Sequence, residues 1–292
     1  MPRQLPLAFL LIGLLSFAGL IACKPKPPAL SSSIVRQIDH ILIASRNPDA
    51  LFSLLTETLQ LPVAWPMTDY GAFASGGVAV GNVNLEIIRE TERVADNLKS
   101  RWIGFALEPE PLRRSIAEMD ARGIRHGTPS PFKSSLFKTR WTTVGLLDLL
   151  AGGSQIFLCE YTEDVSTRRQ LLLEQLQERG GGPLKVLAIK ELALGAREMK
   201  RMEGLWRKLL DQGGASSRSA WALGAGPAIA LTQADKDGIK GLVVYVESLQ
   251  EARRYLKEHD LLGAERPDSI EIGGSQLQGL NITLIEQPSG RL

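Results

Sequence analysis

Ile38-Asp39-His40-Ile41-Leu42-Ile43-Ala44 and, one structural unit later, Asn84-Leu85-Glu86-Ile87-Ile88 frame the first repeated unit of the chain. Both read as short strands, whose successive side chains point to opposite faces. Between them, Asn47 suits a helix N-cap, Pro48 the first helical position and Asp49 the first turn. Leu51, Leu54, Leu55 and Leu59 make one apolar stripe. Tyr70-Gly71 and Gly76-Gly77 then punctuate short strands. The unit is one strand, one helix and three strands. On its first strand, His40, Leu42 and Ala44 share one face, while Asp39, Ile41 and Ile43 share the other. The apolar company of Asp39 points its face toward the helix. On the last strand Glu86 lies with Asn84 and Ile88. A carboxylate between apolar neighbours on an inward face is costly unless paired or metal-bound. His40 and Glu86 are therefore the first candidates for a site. A histidine hydrogen-bonded to a glutamate inside the sheet, without metal, is the competing reading.

The same order recurs. A second unit opens at Trp102-Ile103-Gly104-Phe105, carries Leu112, Ile116 and Met119 on a helix that Gly123 should stop, and closes with Phe157-Leu158-Cys159-Glu160-Tyr161. A charged helix spans about Asp164 to Arg179, and Gly180-Gly181-Gly182-Pro183 breaks it. A third unit starts at Leu184 and a fourth at Gly241, the last closing with Leu280-Asn281-Ile282-Thr283-Leu284-Ile285-Glu286. Four repeats predict an α+β fold of tandem βαβββ modules, although the spacing also suits ferredoxin-like units. The expected boundaries are 34–163 for a first domain, 164–183 for a helical linker and 184–288 for a diverged second domain.

The chain has 292 residues, 44% hydrophobic and 23% charged, enough for one large core or two domains. Its formal charge of +2 speaks against nucleic acid as a partner. At the N-terminus, Arg3 precedes an apolar run that reaches Ala22, which reads as an export signal over 1–22. Leu20-Ile21-Ala22-Cys23 resembles the lipobox of bacterial lipoproteins, a resemblance that implies cleavage before Cys23 and lipidation of its thiol. A transmembrane anchor or an ordinary cleaved signal is the alternative. Residues 23–33, with Lys24-Pro25-Lys26-Pro27-Pro28 and Ser31-Ser32-Ser33, read as an extended tether. The expected location is the bacterial cell envelope, anchored by lipid and facing the periplasm. Lys24 stands after the cysteine in place of the aspartate that retains some lipoproteins at the inner membrane, so the lipoprotein resemblance implies the outer membrane where there are two.

The Ile38–Ile43 and Asn84–Ile88 runs, with Phe157–Tyr161, resemble the vicinal oxygen chelate superfamily, and more narrowly its glyoxalase-like domain. That resemblance implies two paired modules that form a cupped sheet around a divalent metal, with ligands from the first and last strands of each module. Carried over by position, His40, Glu86 and Glu160 match metal ligands. The first strand of the second module, at Ile103-Gly104-Phe105, supplies none, which weakens an iron dioxygenase reading. One histidine and two carboxylates suit Zn²⁺, Mn²⁺, Ni²⁺ or another divalent ion, iron included. The expected chemistry is metal-dependent lyase or isomerase action on a small oxygenated substrate, with Glu160 as first-choice base and Glu86 as second.

Arg140, Trp141 and His126 are candidates to line the cup against substrate, with core packing the competing role for Trp141 and a surface position for His126. Cys159 reads as a small buried residue rather than a nucleophile. Two further functions stay open on sequence: a metal-free module that binds a small molecule in the same cup, and an accessory partner of other envelope proteins.

Overall fold

The computed structural model describes residues 33–71, 73–89, 99–133, 140–149, 155–210, 219–273, 277 and 279–288, without the side chains of Lys133 and Arg140. The export signal, Cys23 and nearly all of the tether lie outside the described residues.

The first sheet has eight strands in the order β2-β3-β4-β1-β5-β8-β7-β6. They are β1 (Val35–Ser45), β2 (Val63–Asp69), β3 (Ala74–Ala79), β4 (Asn84–Arg89), β5 (Arg101–Pro109), β6 (Ser130–Lys133), β7 (Arg140–Gly145) and β8 (Gln155–Tyr161). Helix α1 (Pro48–Ser53) follows β1 and runs on into a π turn; α2 (Leu112–Arg122) follows β5. Asn47 caps α1 by accepting from the Ala50 amide, and Gly123 ends α2 in the left-handed region at φ 65°. Strands β1 and β5 lie antiparallel at the centre, and each pairs in parallel with the last strand of its own unit, β4 or β8. This topology brings the first and last strands of both units together in the middle of one surface.

Helix α3 (Ser166–Glu178) leads to a turn in which Gly180, Gly181 and Gly182 all have positive φ. The second sheet has seven strands in the order β10-β11-β9-β12-β15-β14-β13. They are β9 (Val186–Ala196), β10 (Ala220–Trp221), β11 (Ala228–Gln233), β12 (Gly238–Val246), β13 (Leu262–Arg266), β14 (Ser269–Ile272) and β15 (Ile282–Glu286), with α4 (Met199–Leu210) after β9 and α5 (Leu249–Glu258) after β12. The third unit departs from the expected pattern. Among the described residues its helix is followed by two strands, not three, and β10 is only a two-residue pairing with β11.

The two sheets share one continuous apolar core. Trp206 of α4 stacks on Phe105 of β5 at 6.0 Å and 13°. Polar contacts pin the same junction. The Asn82 side chain donates to the Ile189 carbonyl and accepts from the Ile189 amide, both at 3.0 Å, and Arg122 donates to the Lys208 carbonyl at 3.0 Å. Replacing a fully buried tryptophan such as Trp206 by alanine costs about 3–5 kcal/mol, so the halves stabilise one another.

Candidate functional site

The concave face of the first sheet encloses a cavity of about 750 Å³. His40 and Glu86 stand at its floor, 3.1 Å apart between Nε2 and Oε2. Sequence alternation places these two side chains on one face, and the parallel register Leu42↔Glu86 with His40↔Asn84 brings them within reach across the β1–β4 pair.

Asp39 is also at the floor, against the expectation that it packs under the helix. The reason is local. The β1–β5 register jumps between Ile38↔Leu107 and His40↔Ala106, so Asp39 is an extra residue in a β-bulge. A bulge breaks alternation and re-aims a side chain. Asp39 Oδ2 lies 2.6 Å from His40 Nδ1 and accepts from the Tyr161 hydroxyl at 3.0 Å, while Oδ1 accepts from Arg169 of α3 at 2.8 Å. Arg169 continues to Glu108 at 2.9 Å. The result is a chain of alternating charge, Glu86–His40–Asp39–Arg169–Glu108.

The side chains of Asp39, His40 and Glu86 are only 6%, 8% and 13% exposed, so their pairing decides their charge. Burial alone pushes the His40 pKa down, but hydrogen bonds and attraction from Asp39 and Glu86 outweigh it and raise it to about 10. The imidazole is a cation at neutral pH. Burial likewise opposes the Asp39 charge, yet His40, Arg169 and Tyr161 hold that carboxyl below its ordinary range. Burial pushes the Cys159 thiol well up, consistent with an inert small residue in the wall.

Glu160 does not join this group. Its Oε1 accepts from the Leu112 amide at 2.7 Å, at the start of α2 on the opposite side of the sheet. Strand β8 turns Phe157, Cys159 and Tyr161 into the cavity, leaving Leu158 and Glu160 on the helix side. The physical cause is the N-terminus of α2. Its N-cap is Pro111, which has no side-chain acceptor, so the orphan amides need a carboxylate from elsewhere. The second sheet repeats the device: Glu286 Oε2 accepts from the Leu249 amide at the start of α5. That recurrence is visible in sequence as Glu160 and Glu286 closing their units.

Of the other candidates, Trp141 lines the cavity. Arg140 lies on β7, paired with Lys133, and its side chain is outside the described residues. His126 falls elsewhere. Its ring nitrogens contact the Gly127 carbonyl at 2.9 Å and Asp120 at 3.1 Å, tying it to the end of α2 and away from the cavity lining. A short bridge to Leu146 fixes it there.

Ladder registers also give the positions equivalent to His40 and Glu86 in the second unit. His40↔Asn84 and Leu42↔Glu86 in the first correspond to Gly104↔Gln155 and Ala106↔Phe157 in the second. The counterpart of His40 is thus Gly104 and that of Glu86 is Phe157. A Cβ on Gly104 would sit 1.8 Å from the Gln155 carbonyl oxygen, so no ligating side chain fits there without moving backbone. Phe157 turns its ring toward His40 with centroids 6.0 Å apart. Among the described residues no three His, Cys, Asp or Glu side chains converge to hold an ion. The residues present do not fit the expected three-ligand centre.

Helix α3, which reads as a linker in sequence, roofs the cavity with Val165, Arg168, Arg169 and Leu172. Leu172 is buried against Ala64 and Ala79. Aromatic rings form the walls. Tyr70 and Phe73, from the β2–β3 end of the sheet, stack at 5.0 Å, and Tyr70 reaches Trp141, from the β7 end, at 6.4 Å. Trp65, Phe157 and Tyr161 complete the lining.

In sequence, no family model and no curated protein matches the chain. Solved structures do match. Homoprotocatechuate 2,3-dioxygenase of Brevibacterium fuscum (E323L variant) is 9% identical with a TM-score of 0.56, covering 90% of this chain and 74% of that one. The 2,3-dioxygenase LapB of Pseudomonas sp. KL28 is 13% identical with a TM-score of 0.55, covering 87% and 93%. A Mn(II)-bound glyoxalase of Novosphingobium aromaticivorans is 14% identical with a TM-score of 0.53, covering 87% and 83%. The chain has the vicinal oxygen chelate fold. These identities are low and carry the fold alone. At the four positions from which the resemblance implies ligands, this chain has His40, Glu86, Gly104 and Phe157.

Proposed function

We propose that this protein is a small-molecule binding module built on the vicinal oxygen chelate fold, with the cup of the first sheet as its site. One observation carries this reading. The floor residues that survive from the metal-binding pattern are closed into an ion-paired chain with Asp39 and Arg169, beneath a cavity of about 750 Å³ walled by aromatic rings. Ligand pockets of this size, mostly apolar with a few convergent polar groups, are the usual form of a small-molecule site. Two donors fall short of the three protein ligands that catalytic zinc sites keep and of the two-histidine, one-carboxylate set of non-haem iron sites. The Cys23 anchor and its tether belong to the same proposal and put the cup at the membrane surface of the envelope.

Metal analysis of the purified full-length protein tests the reading, with His40→Ala as control. Equal, negligible content in both proteins agrees with it. Stoichiometric Mn, Fe, Zn or Ni that is lost in His40→Ala overturns it in favour of metal-dependent lyase or isomerase chemistry. The anchor is tested separately: Cys23→Ser should move the protein from the membrane fraction to the soluble one.

A further inference from the structure

We infer that the ligand of this cup is an aromatic anion, seated with its charged group against Arg168 of the roof and its rings between the aromatic walls. The inference rests on the binding-module reading and gives it a ligand class.

Glu86 is paired with His40, His40 with Asp39, Asp39 with Arg169, and Arg169 with Glu108. Arg168 differs from its neighbour on α3. It lines the same cavity and donates through Nη2 to the Ala64 carbonyl, but among the described residues no carboxylate lies within ion-pair distance of it. A guanidinium has five N–H donors in a planar fork that matches a carboxylate or sulfonate. One backbone carbonyl leaves most of that fork for a ligand.

The floor excludes the opposite orientation. Glu86 meets His40 through Oε2, and its carboxylate presents only acceptors to the cavity. An anionic group is repelled there, whereas a hydroxyl or ring N–H is welcome. The Tyr70 phenol, raised by burial first, is raised further by Glu86 and lowered by Arg168, so it feels both poles of the cavity. Between the poles the faces of Trp65, Tyr70, Phe73 and Trp141 offer planar apolar surface, which suits a ring system better than a flexible chain. The volume accommodates two or three fused or linked rings.

The test uses the full-length protein and two probes with the same ring system, 8-anilinonaphthalene-1-sulfonate and the uncharged N-phenyl-1-naphthylamine, followed by calorimetric titration. The sulfonate should bind a single site about tenfold more tightly than the neutral probe at low salt, with the gap narrowing as salt is added. Arg168→Gln should bring the sulfonate down to the neutral probe's affinity and leave the neutral probe unchanged; Arg168→Lys should retain part of the difference. Trp141→Ala should weaken both probes, which places them in the cup. Equal affinities in the wild type, or equal losses for both probes in Arg168→Gln, overturn the ligand class while the binding module stands. No saturable binding of either probe, or binding that ignores Trp141→Ala, removes the module and this inference together.

Discussion

The two sheets share a plan and differ at the floor. Each carries a glycine at the corresponding position of its second unit, Gly104 or Gly241, where a Cβ would strike the backbone of the neighbouring strand. Each closes with a glutamate that caps a helix, Glu160 or Glu286. The registers His40↔Asn84 and Leu42↔Glu86 correspond to Glu191↔Ala228 and Ala193↔Ala230 in the second sheet. So the His40 and Glu86 positions hold Glu191 and Ala230 there, and the buried ion-paired chain has no equivalent. What is common to both sheets builds the fold; what is confined to the first builds the site.

The largest effect that would break this contrast is at His40. His40→Ala leaves Asp39 and Glu86 as buried carboxylates without their shared cation and should cost about 3–5 kcal/mol, whereas Glu191→Ala, half-buried on the second sheet, should change stability by less than about 0.5 kcal/mol. Urea unfolding of both variants checks it, and equal costs would remove the distinction. The same residue gives a pH signature. Its folded-state pKa of about 10 lies above the ordinary 6.5, so its stabilisation is complete below about pH 6.5 and disappears as pH rises through 10. Melting temperature should therefore fall more steeply between pH 7 and 10 in the wild type than in His40→Gln. The Asp39 contribution has the opposite sign: its lowered pKa means stability lost on acidification below its ordinary value.

Smaller effects sharpen what the sheets share. Gly104→Ala should destabilise by about 3 kcal/mol, because its Cβ meets the Gln155 carbonyl at 1.8 Å; Gly241→Ala, whose Cβ meets the Asn281 carbonyl at 2.6 Å, should cost about 1–2 kcal/mol. Glu160→Ala and Glu286→Ala should each cost about 1 kcal/mol as lost helix caps. Thermal unfolding reads these four. Neither cap variant should alter probe binding, and loss of binding in Glu160→Ala alone would return that residue to the cup.

Much of the site was legible because strand alternation is a local rule. His40 shares its face with Leu42, and Glu86 with Asn84 and Ile88, as their spacing predicts. Asp39 was not legible, since a bulge depends on how the neighbouring strand pairs. Glu160 was misread for a related reason. Alternation says which residues share a face, but not which face turns inward, and the uncapped Pro111 helix start was the overlooked clue. Arg168 and Arg169 were not singled out in sequence, because nothing in their own charged helix shows what it lies against.

Residue order alone settles the repeated strand–helix–strand order, the helix limits at Asn47 and Gly123, the shared face of Glu86 with Asn84 and Ile88, and the lack of a ligating side chain over Ile103-Gly104-Phe105. Each rests on near-neighbour periodicity, backbone propensity or the presence of a side chain. Tertiary structure alone decided that Asp39 and Arg169 complete the buried charge chain, that Glu160 serves a helix, and that α3 roofs the cup. Those outcomes depend on register and on contacts between distant segments, where the cost of an unpaired buried charge or an orphan amide selects the partner.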